Sequence, residues 1–102
     1  MIKFNVLYPF NPGMRFDHDY YRNKHMPLLA KVLGEACRSY TIDKGLAGRE
    51  PGVQPPFAAA CSVYCESVEA VRAALAAHPE IRADVLNYTD IQPLVWFSDV
   101  VA

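Results

Sequence analysis

The run Phe57-Ala58-Ala59-Ala60-Cys61-Ser62-Val63-Tyr64-Cys65 constrains this 102-residue chain most. Its near-continuous apolar character reads as a strand buried on both faces. A chain of this length is expected to form one domain over residues 1–102. One sheet must therefore hold the strand and be covered twice. Helices of the same chain can cover one face, and the other face needs a second cover.

The rest of the chain shows where those helices lie. Ile2, Phe4, Val6 and Tyr8 alternate with Lys3, Asn5 and Leu7, a strand over residues 2–9. Asn11-Pro12-Gly13 is a loop signal. Asp17 is an N-cap for a helix over residues 18–34 that Gly34 closes. Pro27 lacks the N–H of a regular helix, so a kink or break is predicted near His25-Met26. Residues 36–46 are expected to form a strand, and the Gly- and Pro-rich residues 47–56 a long loop. Ser67 caps a helix over residues 68–77, and Pro79 starts a short helical turn through Val85. Asn87-Tyr88-Thr89-Asp90 reads as a turn before a last strand over residues 91–101. The order β-α-β-β-α-β is the ferredoxin-like α+β plan, an antiparallel sheet with helices on one face. The third and fourth strands read as apolar on both faces. A second copy of the sheet would cover the open face, so a homodimer through the sheet is expected.

Composition excludes several function classes. The net charge is −1 with Lys and Arg scattered, which gives no footprint for nucleic acid. There is no polybasic membrane patch, and no apolar run approaches the roughly 20 residues of a membrane span. Met1 to Asn5 lacks the features of a secretion signal, so a cytoplasmic protein is expected. Cys37, Cys61 and Cys65 are odd in number and read as reduced thiols. Cys61 and Cys65 would lie about 13 Å apart on a strand, too far for a disulfide.

Chemistry is expected on the first helix. Tyr21, His25, Leu29 and Val32 share one helical side, so a phenol and an imidazole face an apolar interior. A buried imidazole favours its neutral form, which suits a general base. It can equally be a core histidine satisfied by a hydrogen bond. Tyr21 can steady a substrate oxygen or pack, and Tyr20 is expected to pack on another face. Tyr40 and Tyr64 on the expected central strands, together with Trp96 and Asn87, are candidates for substrate binding. Each has a structural alternative: core packing for the tyrosines, core or dimer interface for Trp96, and a turn for Asn87. His18 and His25 are about two turns apart, roughly 10.5 Å, too far to share a metal. No metal site, Gly-rich phosphate loop or nucleophile elbow is found.

Two motifs carry a resemblance. Asp19-Tyr20-Tyr21-x-x-x-His25-x-Pro27-Leu28 and Asp84-x-x-Asn87-Tyr88-Thr89-Asp90-x-x-Pro93, with the length and element order, resemble the EthD family of the dimeric α+β barrel superfamily. The resemblance implies a homodimer whose two sheets form a barrel, with a small pocket between sheet and helices in each subunit. His25 occupies the position of the family's helix histidine. Relatives include a protein associated with ether-degrading oxygenase systems, muconolactone isomerases and fungal polyketide decarboxylases or dehydratases. Cofactor-free monooxygenases and polyketide cyclases belong to the wider superfamily. The function expected on this basis is acid–base catalysis without a cofactor on a small apolar cyclic substrate: a lactone, phenol or polyketide fragment. His25 and Tyr21 would be the catalytic residues. The alternative is a non-catalytic dimer that binds a small apolar or aromatic molecule as an accessory to an oxygenase.

Overall fold

The four strand signals pair into one antiparallel sheet in the computed structural model, which describes residues 1–102. In chain order the elements are β1 (Ile2–Pro9), α1 (His18–Tyr20), a π-helical turn (Tyr21–His25), α2 (Met26–Leu33), β2 (Ser39–Lys44), β3 (Phe57–Cys65), α3 (Val68–Ala77), α4 (Glu80–Asp84) and β4 (Leu94–Asp99). Short 3-10 turns follow α2 at Gly34–Ala36 and α4 at Val85–Asn87. The strands lie in the order β2-β3-β1-β4, so β3 and β1 are central. This is the ferredoxin-like α+β arrangement.

Register assigns every side chain to a face. Phe4 pairs with Val63 and Phe97, and Val6 with Cys61 and Val95. These residues face the helices, where Leu29 and Leu33 of α2, Val71 of α3 and Ile81 of α4 are buried against the sheet. The opposite face carries Lys3, Asn5 and Leu7 of β1 and Ala60, Ser62 and Tyr64 of β3. Leu94, Trp96 and Ser98 of β4 join them. That face is less apolar than the sequence suggests. Leu7, Leu94 and Trp96 make an apolar strip near β4, but Ser39, Thr41 and Asp43 of β2 make the far side polar. Asn5 is buried there because its amide donates to Ser98 Oγ at 3.0 Å and to two backbone carbonyls.

Caps act where the sequence places them. Asp17 accepts from the Tyr20 N–H at 3.0 Å, and Ser67 from the Ala70 N–H at 3.1 Å. Gly34 ends α2 at φ 55°, a conformation that favours glycine. Two expected strands are shorter than their sequence pattern. Ala36 belongs to the 3-10 turn that follows α2, and the Cys37 N–H still bonds the Gly34 carbonyl at 3.1 Å, so β2 begins only at Ser39. The start of β4 is delayed because the Ile91 N–H bonds Thr89 Oγ1 and Pro93 has no N–H for the ladder.

The first helix departs from expectation in a useful way. It does not break near His25-Met26. Instead the Met26 N–H reaches the Tyr21 carbonyl across five residues, a π turn that holds one residue more than an α turn. The wide turn sits directly before Pro27. It makes room for the proline ring, and Pro27 then falls in the first turn of α2, where an N–H is not needed.

Gly45 fixes how the long loop returns to the sheet. Its N–H donates to the Ala58 carbonyl at 2.8 Å, and a Cβ there would fall on the Phe57 carbonyl oxygen. Gly45→Ala is expected to cost about 1–3 kcal/mol, read as a lower urea midpoint with an unchanged slope.

Candidate acid–base site

The π turn directs two rings inward. Tyr21 and His25 are 1 % and 4 % exposed, and their rings stack at 5.6 Å with 14° between planes. Tyr88 packs against both rings, with centroids 4.6 Å from the imidazole and 5.0 Å from Tyr21. On the far side of the chain, Ile81 anchors α4 in the core. One turn later Asp84 meets the π turn, and its Oδ2 lies 2.9 Å from His25 Nδ1. Asp84 Oδ1 accepts from the Tyr20 hydroxyl at 2.6 Å and from the Asn87 amide at 2.9 Å.

These contacts decide the protonation of the pair. Burial pushes the Asp84 carboxyl up, but hydrogen bonds from Tyr20, His25 and Asn87 outweigh it and hold the group below its ordinary value. Burial also moves His25 below its ordinary value of 6.5, and attraction to Asp84 only partly offsets that shift. At neutral pH the pair is therefore a carboxylate beside a neutral imidazole. An ionised carboxylate can only accept, so the ring proton sits on Nδ1 and Nε2 keeps its lone pair.

Nε2 has no hydrogen-bond partner in the protein, yet it is not sealed in, because the only fully buried side-chain polar atom without a partner is Tyr21 Oη. His25 lines a cleft of about 1010 Å³ on the helix side of the sheet. Its walls include Phe4, Val6, Leu29, Leu75, Ile81 and Ile91, with polar groups from Tyr8, Arg82 and Asp90. The Tyr8 hydroxyl lies 2.6 Å from that of Tyr88. Burial pushes Tyr8 up to about 12, and Tyr88 is raised too, so both phenols keep their protons at neutral pH. One of the two protons holds the pair together, and the other remains to be donated. No three His, Cys, Asp or Glu side chains converge on a common metal position.

The segment after α4 fastens this wall to the loop before α1. The Asp17 N–H donates to the Tyr88 carbonyl at 2.8 Å, and Thr89 Oγ1 donates to the Arg15 carbonyl at 2.6 Å. Asp90 Oδ1 accepts from the Arg15 N–H at 3.1 Å. The Arg15 guanidinium donates to the Leu86 carbonyl at 2.7 Å.

The sequence candidates separate accordingly. His25 reaches the cleft. Tyr21 does not: it stacks under His25, and its buried hydroxyl lies beside the Cys61 thiol. Tyr40 faces the helices but stands on β2, at the sheet edge opposite β4, whereas the cleft lies over β1 and β4. Tyr64 and Trp96 have the opposite parity and lie on the open face. Asn87 holds Asp84 and Tyr20 rather than lining the cleft. Tyr20, expected only to pack, bonds Asp84. Asp84, Tyr8 and Tyr88 had no assigned site role, although Asp84 and Tyr88 stand inside the late motif.

An EthD domain matches residues 14–92. The chain belongs to the EthD family. It is similar, at 49 % identity and a TM-score of 0.97, to an EthD-like protein of Ralstonia eutropha, covering 99 % of this chain and 92 % of that one. An ethyl tert-butyl ether degradation (EthD) family protein of Bacillus halodurans is 19 % identical with a TM-score of 0.72, covering 99 % of both chains. A dimeric ferredoxin-like protein of Thermobifida fusca shares the fold at 14 % identity and a TM-score of 0.57, covering 97 % of this chain and 90 % of that one. Among curated proteins there is no match. The EthD match contains Tyr20, His25, Asp84, Asn87 and Tyr88, whereas Tyr8 precedes it and Trp96 follows it.

The shifts have a definite sign. A depressed His25 value means that the folded state prefers the neutral ring. Its stabilising contribution is complete above pH 6.5 and is lost as pH falls through the folded value. Asp84 acts in the same direction at lower pH, below its ordinary 3.8. Urea unfolding measured from pH 7.5 downward should show stability falling in these two windows. In Asp84→Asn, NMR titration should find His25 lower still, because the carboxylate that favours the imidazolium is gone.

Proposed function

We propose that this EthD protein is an acid–base enzyme that needs no cofactor and acts on a small, mostly apolar cyclic molecule such as a lactone, phenol or polyketide fragment. The observation that carries this reading is His25, which lines an apolar cleft with Nδ1 held by Asp84 and Nε2 without a hydrogen-bond partner in the protein. Burial in the cleft would hold the substrate. His25 Nε2 takes a proton next to a carbonyl or from a ring hydroxyl. Asp84 stabilises the imidazolium that results and keeps the ring in the productive tautomer. Tyr8 takes the part first assigned to Tyr21: its protonated hydroxyl donates to the oxygen on which negative charge develops. Isomerisation, cyclisation, decarboxylation and oxygenation of an ionised aromatic all begin with such a step.

The working unit is proposed to be a homodimer through the open sheet face, where Leu94 and Trp96 are about half exposed. The Thermobifida fusca protein of the same fold is described as dimeric, which supports a dimer, and the exposed apolar strip is the reason for placing it on the sheet face. Buried apolar strips of this kind are the usual core of such interfaces.

A panel of lactones, phenols and polyketide fragments gives the test. His25→Ala should lower kcat on any accepted compound by about 10²–10⁴-fold, and Tyr8→Phe by about 10²-fold or more. In the wild type, kcat/KM should rise with pH through a midpoint below 6.5. Unchanged turnover in His25→Ala would exclude His25 as the base. Binding of these compounds with no turnover in the wild type would favour the accessory binding role instead.

A further inference from the structure

We propose that Tyr20 is a positioning residue: together with Asn87 it orients the Asp84 carboxylate and thereby sets the tautomer and the basicity of His25. The inference rests on reading His25 as the base of the cleft, but its test does not need a substrate.

The geometry is a closed triangle. Asn87 Nδ2 lies 2.9 Å from Asp84 Oδ1 and 3.3 Å from Tyr20 Oη, and Tyr20 Oη lies 2.6 Å from Asp84 Oδ1. The amide of Asn87 supplies two protons, one for each oxygen. Tyr20 Oη thus accepts from Asn87, and its own proton is committed to Asp84. Two donors occupy Oδ1. Oδ2 is left for His25 Nδ1 at 2.9 Å. The carboxylate cannot rotate to present the other oxygen without breaking two bonds.

Tyr20 is itself held on three sides. Its N–H is tied to the Asp17 cap at 3.0 Å, and its ring stacks on Tyr88 at 6.2 Å and 22°. The Lys24 ammonium stands 5.9 Å from the ring centroid. The other titratable groups around the pair are Tyr21 stacked on the imidazole, Tyr88 packed against both rings, and Tyr8 beyond Tyr88. None of these hydrogen-bonds Asp84 or His25 in the structure. Tyr20 and Asn87 are therefore the groups through which the protein adjusts the carboxylate.

The sign of that adjustment follows from charge. Each hydrogen bond donated to Asp84 disperses its negative charge and weakens its hold on an imidazolium. Loss of the Tyr20 hydroxyl leaves a more basic carboxylate, which draws the His25 value upward. Loss of the carboxylate in Asp84→Asn moves it downward. A residue that merely packs would produce neither shift.

The experiment is NMR of the His25 ring nitrogens in the full-length protein, titrated in the wild type, Tyr20→Phe and Asn87→Ala. In the wild type above the titration midpoint, Nδ1 should carry the proton and Nε2 should be bare. Tyr20→Phe should shift the midpoint upward and reduce the preference for that tautomer. Asn87→Ala should do the same to a smaller extent, and it stands in as the test if Tyr20→Phe fails to fold. On any accepted substrate, Tyr20→Phe should lower kcat about 10–100-fold with little change in KM. A midpoint and tautomer unchanged in the folded variants would overturn the proposal. Normal turnover in His25→Ala alongside the expected shifts would sink only the reading of His25 as the base.

Discussion

A buried imidazole needs a partner, and here one carboxylate supplies it. The bond between His25 Nδ1 and Asp84 Oδ2 joins residues 59 positions apart and holds α4 against the π turn. Neither element is stable alone: α4 has five residues and the turn five. Removing one partner would leave the other buried and unsatisfied, which costs more than the bond itself contributes. The site and this corner of the fold are thus one construction. Tyr20, Asn87, Tyr88 and Tyr8 are arranged around it, and the Arg15 and Thr89 bonds hold the surrounding loops in place.

Membership of the EthD family and the ferredoxin-like fold agree with what the elements show by themselves. Much of that fold was legible in the residues. Phe57–Cys65 and Val68–Ala77 have the bounds that their pattern and the Ser67 cap imply. His25 stood out as a polar side chain on an apolar stripe, and it is the one expected catalytic residue that lines the cleft.

What remained hidden has physical causes. Parity along a strand is lost by a one-residue error in register, and a single step moves a side chain to the other face. Tyr64 lies on the open face for that reason, and so does Trp96, where its alternative reading as a dimer-interface residue would place it. Tyr21 faces the interior beside His25 as its helical azimuth implies, but azimuth alone does not say whether a buried hydroxyl meets a cleft or another core side chain. Asp84 was visible in a motif but not as a partner, since no local rule pairs two short helical segments that meet only through tertiary packing. Tyr8 alternated with the core residues of β1, and nothing in the alternation distinguishes a phenol at a cleft from one in a core.

The π turn carries a further consequence. Tyr21 and Met26 are both buried although they stand five positions apart, and Leu29 and Leu33 continue the same buried stripe. On a regular α-helix a five-residue step would rotate the stripe by well over a quarter turn. The added residue absorbs that rotation and keeps both halves of the helix in phase with one core. Arg22, Asn23 and Lys24, which form the outer rim of the wide turn, are exposed. Apart from the Lys24 ammonium over the Tyr20 ring, what the site requires of that rim is its number of residues: a spacer in the reading frame of the helix.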